Sequence, residues 1–192
     1  YLNGSWERWR LPLLLITGLC GMTLGVFTVR ASARQIRPPY RKSRAAVLAG
    51  GAIYVATAGT LHFFIGSLAD WTATLSPLLG REETTALIRT QYDRLMPAMA
   101  FSYAGMVLFF LVTAFAVLTK RTALPRRMFM FHPFIWQIVF VLIPDIRQLL
   151  GAPISTWDFV LSQGSGNAAL AIWMIANAVW AVRRRKEEGE RK

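Results

Sequence analysis

Sulfur and imidazole are scarce in this chain: its 192 residues include one cysteine and two histidines. Cys20 has no partner for an intramolecular disulfide, and no CxxC spacing is offered to a metal. It sits inside an apolar run and reads as a small buried apolar residue. His62 and His132 fall in separate apolar segments at different depths, so they should not share an ion. No facing His/Glu pair completes a metal site, and nothing in the sequence calls for a cofactor. Catalytic signatures are missing as well: there is no GxSxG elbow, HExxH, Walker A or Rossmann glycine pattern.

Charge is also in short supply. Charged residues make up 17% of the chain, against about 25% in a soluble domain, and hydrophobic residues reach 54%. The runs "LPLLLITGLCGMTLGVFTV" and "MPAMAFSYAGMVLFFLVTAFAVLT" are each long enough for a bilayer, which needs ~20 apolar residues. This predicts an all-α, polytopic transmembrane helix bundle of five spans, at about 11–29, 45–69, 95–119, 132–150 and 167–182. It forms one domain over 1–182, followed by a basic tail over 183–192. In the first span Gly18, Gly21 and Gly25 offer a GxxxG face. Trp6 and Trp9 precede it at the expected interfacial belt.

The net charge of +12 is concentrated between the apolar runs. In a soluble protein it would suggest nucleic acid, but no basic stripe lies on a soluble element. Membrane lipids with anionic headgroups are the better partner. Arg30, Arg34, Arg37, Arg41, Lys42 and Arg44 separate the first two spans without an acid. Lys120, Arg121, Arg126 and Arg127 separate the third and fourth, and Arg183 to Lys186 follow the fifth. Five alternating spans put all three groups on one side, which the positive-inside rule makes cytoplasmic, with the N-terminus outside. Of the other connections, 151–166 holds only Asp158. The 70–94 segment is mixed in charge, and "SPLLGREETTALIRTQYDRL" in it reads as a turn followed by an amphipathic helix on the outer surface. Pro38 and Pro39 should interrupt helix in the first basic loop.

This topology places several polar residues in the outer half: His62, Tyr103 and Ser102, Asp145 and Arg147 after Pro144, and Ser165 and Asn167. Tyr54, Ala58 and His62 follow four-residue spacing and share a helix face. The candidate ligand-binding set is therefore His62, Tyr54, Tyr103, Asp145, Arg147 and Asn167, with Trp71 near the rim. Each has a plainer role. His62 bridges two helices by a hydrogen bond, Asp145 and Arg147 are interfacial, and "GSGN" is a turn with Asn167 near a helix start. Ser165 beside His62 would also resemble a nucleophile and its base, although the turn is the favoured reading. Asn177 reads as a helix-to-helix hydrogen bond, and His132 as an end residue before a helix-starting proline.

The small-residue helix "TAGTLHFFIGSL", the segment "LPRRMFMFHPFIW" and the last helix opening "GSGNAALAIWMI" together resemble a family of uncharacterised bacterial multi-pass membrane proteins, catalogued as a domain of unknown function. The likeness runs from about Trp6 to Trp180. It implies His62, Pro133 and Asn167 as positions of interest, a bacterial inner membrane, and no activity. It also implies a further helix bearing a Gly-Asp pair, which has no counterpart here. An upstream segment, either that helix or a signal peptide, is the expectation for a chain opening on Tyr1 with its N-terminus outside.

Three functions remain open on sequence alone. One is an outer-half polar pocket for a lipid or small amphipathic ligand, with Arg147 suited to an anionic headgroup. A second is an accessory subunit whose polar residues only hold helices together. The third is a lipid-modifying enzyme using His62 as acid or base and Asp145 as its orienting partner.

Overall fold

The computed structural model describes the backbone of residues 10–153 and 156–189, and most of their side chains. Every long element is helical: α1 (Arg10–Gln35), α2 (Arg41–Leu79), α3 (Arg81–Leu118), α4 (Pro133–Leu149) and α5 (Thr156–Gly189), with a 3₁₀ segment at Arg126–Phe131. Among the described residues four stretches are long and apolar enough to cross a membrane: Arg41–Leu79, Arg81–Leu118, Arg126–Leu149 and Ser165–Glu187. The fold is all-α. The Trp6 and Trp9 belt lies outside the described residues.

Each helix ends for a local reason. Pro38 and Pro39 form the turn between α1 and α2, as their fixed φ and missing N–H require. Gly80, with φ +83, is the single residue between α2 and α3. The turn expected within 70–94 is this glycine, and the helix expected after it is the first part of α3, continuous with the third apolar span. Asp70 and the charges from Arg81 to Arg94 ride on helix that continues outward from the apolar segments. Helix α5 likewise starts at Thr156 instead of 167, so Ser165 and Asn167 lie within it and cap nothing. The basic tail continues this helix as far as Gly189. Proline does start α4, and His132 is its N-cap, with Nδ1 accepting from the Phe134 amide at 3.2 Å.

The chain divides into two compact units. The first takes residues 1–30 and 48–109, the second 31–47 and 110–192. In the first, α1 and α2 run antiparallel along a seam of small residues. Gly18 meets His62, Met22 meets Gly59, Gly25 meets Val55 and Val29 meets Gly51. The α1 contacts recur at alternating four- and three-residue steps, the seam of a left-handed pair. Between α2 and α3 the backbones themselves touch. A Cβ on Gly50 would stand 2.9 Å from the Gly105 carbonyl oxygen, and one on Gly105 2.9 Å from the Tyr54 nitrogen. The buried hydroxyls of Thr28 and Thr72 donate within their own helix, to the Leu24 and Leu68 carbonyls, whereas that of Thr84, also buried, has no partner among the described residues.

The second unit is built around Val117, Leu124, Met128 and Trp173, flanked by Phe129, Ala176 and Trp180. The α1–α2 and α3–α4 connections join there through an antiparallel bridge between Ile36 and Thr122. The amide of Arg37 donates to the Arg121 carbonyl and that of Ala123 to Gln35, both at 2.8 Å. Helix α5 is tied in by Trp173, whose Nε1 donates to Ser32 Oγ at 3.2 Å. The first two basic loops thus occur at one end of their helices, as alternating spans demand.

Candidate functional site

Of the six predicted ligand residues, Tyr54, His62 and Tyr103 belong to the first unit and Asp145, Arg147 and Asn167 to the second. His62 is half-buried on α2 and stands over Gly18 of α1, where an added methyl would be 3.7 Å from its Cβ. Glycine on the opposite helix leaves the imidazole room. Among the described residues no side chain hydrogen-bonds to His62. A histidine that bridges helices needs such a partner, so the plainer reading lacks its bond. Tyr54 is half-buried four-residue steps back along the same helix. Tyr103 of α3 is exposed.

Beside His62 lies a groove of about 450 Å³ between α1 and α2. Leu15, Ile16, Leu19 and Met22 line one wall, and Gly59, Thr60 and Phe63 the other. Thr60 brings the one side-chain polar atom, and its hydroxyl donates to the Ala56 carbonyl of its own helix at 3.2 Å. The lining is therefore predominantly apolar, with no unspent side-chain hydroxyl. This departs from the polar pocket expected: His62 borders the groove through Gly18, and its ring is not part of the wall. Trp71, expected at a rim, is half exposed farther along α2.

In the second unit Asp145 and Arg147 are exposed on α4. Two residues apart on a helix, they point to different sides. Pro144 is buried, and the helix passes through it without ending. Asn167 is exposed in the interior of α5, and Ser165 is buried. Asn177 donates to the Trp173 carbonyl of its own helix at 2.8 Å, so it is not the helix-to-helix bond expected. Cys20, read as buried, is exposed on α1. Among the described residues no group of three His, Cys, Asp or Glu side chains could hold a metal.

The residue missed by sequence reasoning is His132. It is fully buried, enclosed by Phe110 of α3, Phe129 of the 3₁₀ segment and Trp173 of α5. Ring centroids lie 6.1, 5.7 and 5.3 Å away. Its Nε2 has no hydrogen-bond partner. The aromatic density of "MFMFHPFIW" was the available signal, and its helix-end position masked it.

Comparison with protein-family models, curated proteins and solved structures finds no match. The fold and its apolar helices define the class: an integral, multi-pass membrane protein.

Proposed function

We propose that this is a lipid-binding protein of a bacterial inner membrane, which seats one acyl chain in the groove between α1 and α2. The observation that carries the reading is the groove itself, about 450 Å³ and without a free polar group in its lining. In a membrane-crossing helix pair the neighbour supplied in abundance is hydrocarbon, and an apolar cleft on such a pair is matched to it. The groove occupies the N-terminal half of α1, from Leu15 to Met22, against Gly59 to Phe63 at the middle of α2. The positive-inside rule makes that the outer half, with the basic connections cytoplasmic. The His62 ring, with no hydrogen-bond partner among the described residues, is then available to an ester or headgroup oxygen.

Native mass spectrometry of gently extracted protein tests this. A retained lipid is expected on the wild-type chain. Thr60→Trp, an exposed position whose larger ring would fill the groove, should remove it while leaving the melting temperature unchanged. His62→Ala should weaken retention without loss of stability. Loss of stability with retention intact would return His62 to a packing role and remove it from the proposal.

A further inference from the structure

The α1–α2 and α3–α4 connections are both strongly basic, and neither contains an acid. Arg34, Arg37, Arg41, Lys42 and Arg44 stand on or beside the first, Lys120, Arg121, Arg126 and Arg127 on the second. Each connection follows the end of an apolar helix, which is headgroup depth in a bilayer. Solvated separately, such loops would repel. Here the Ile36–Thr122 bridge and its two backbone hydrogen bonds hold them side by side. Fixing like charges together costs free energy that an anion between them would remove.

The side chains are held as well. Arg37 Nε donates to the Thr122 carbonyl at 3.1 Å, and Arg126 Nε to the Leu118 carbonyl at 2.7 Å. Spending Nε in this way leaves the terminal guanidinium nitrogens of both unspent. The Arg121 guanidinium lies 5.0 Å from the Tyr40 ring centre and 4.5 Å from that of Phe115. Aromatic rings are not conventional hydrogen-bond acceptors, so those contacts do not spend its N–H donors. Among the described residues no carboxylate pairs with any of the three. Lys120 takes a positive φ of 57, a backbone state that favours glycine, so a cation occupies a position where backbone alone would select otherwise.

We propose that this junction binds the phosphate of an anionic phospholipid headgroup, gripped by Arg37, Arg121 and Arg126, with Lys120 and Arg127 adding charge. Guanidinium forks match phosphate oxygens two at a time, and arginines with restrained side chains lose less freedom on binding. A lipid headgroup is favoured over a free anion because the junction lies where apolar helices meet the headgroup layer.

The test is native mass spectrometry of the full chain in non-ionic detergent, with equal amounts of dioleoyl phosphatidylglycerol and dioleoyl phosphatidylcholine. The expected preference for phosphatidylglycerol is on the order of tenfold or more. The triple variant Arg37→Gln, Arg121→Gln, Arg126→Gln should abolish it. Should that variant misfold, Lys120→Gln with Arg127→Gln decides, since neither side chain makes a hydrogen bond in the structure. It should lower the preference severalfold. Arg183→Gln with Arg185→Gln, an equal charge loss on α5, should leave the preference intact. Equal retention of both lipids by the wild type, an equal loss from the α5 variant, or displacement of phosphatidylglycerol by low-millimolar inorganic phosphate would each overturn the proposal. The two lipids carry identical acyl chains, so failure of the apolar groove would not alter this preference.

Discussion

The ring of His132 is held on one side by the Phe134 amide, which donates to Nδ1. An Nδ1 that accepts carries no proton, so the ring's N–H is at Nε2, buried and without a partner. Leaving such a donor unpaired costs about 1–3 kcal/mol. The aromatic faces of Phe129 and Trp173 offset only part of that. What the ring supplies in return is volume and a helix cap. His132→Ala removes both and should destabilise by about 2–4 kcal/mol, read from unfolding in detergent. His132→Asn restores the cap oxygen alone and should fall between the two. A wild-type melting temperature for the alanine variant would show that the cage does not depend on its histidine. Gly105 is a harder case, because a methyl there meets the Tyr54 backbone nitrogen as well as the Ile53 side chain. Side chains can turn aside but backbone cannot, so Gly105→Ala should cost about 1–3 kcal/mol. Nothing in the sequence around "SYAGMV" distinguishes this glycine from its neighbours, because close approach is a property of the pair.

At the scale of elements, α3 and α4 end in the same way with different residues. At the end of α3 the Arg121 amide bonds the Ala116 carbonyl and the Lys120 amide that of Val117. At the end of α4 the Ala152 amide bonds Arg147 and the Gly151 amide bonds Gln148. Both are Schellman closures, with the left-handed residue a lysine in one and a glycine in the other. Lys120→Gly should therefore raise stability by up to about 1 kcal/mol, the relief of αL strain less the entropy of glycine. If the cation is there for lipid phosphate, the same variant should retain less phosphatidylglycerol even as its melting temperature rises. Helix ends were unevenly legible. Pro38–Pro39, Gly80 and Pro133 each announce a break through fixed φ, positive φ or a missing N–H. The extent of the helices was not legible, because hydropathy marks the length that suits lipid, while backbone hydrogen bonding continues beyond it. Arg81 to Arg94 reads as a separate surface helix by charge, yet it is one helix with the apolar segment after it, because a helix satisfies its own amides in water as well as in lipid. The same confusion in reverse hid the start of α5. Gly164 and Gly166 read as a turn, but glycine is common inside membrane helices.

Over the whole molecule, the count of crossings decides which loops share a side, and loop charge then decides which side it is. The bridge between Ile36 and Thr122 fixes the first point for two connections independently of charge. Their common basicity, legible from sequence alone, supplies the second. The candidate site was less legible than the topology. Depth could be inferred for His62, but a groove is made by gaps between Leu15, Met22 and Phe63 that only packing defines. The topology can be tested in intact cells. In a Cys20→Ser background, Thr85→Cys places a thiol on an exposed α3 position one turn after Gly80, and Pro39→Cys places one in the first basic loop. A membrane-impermeant maleimide should label the cysteine at 85 in intact cells and the one at 39 only after permeabilisation. The reverse pattern would invert the protein and move its groove to the cytoplasmic leaflet. Labelling of both in intact cells would mean that α2 does not cross, since a spanning helix must separate the two positions.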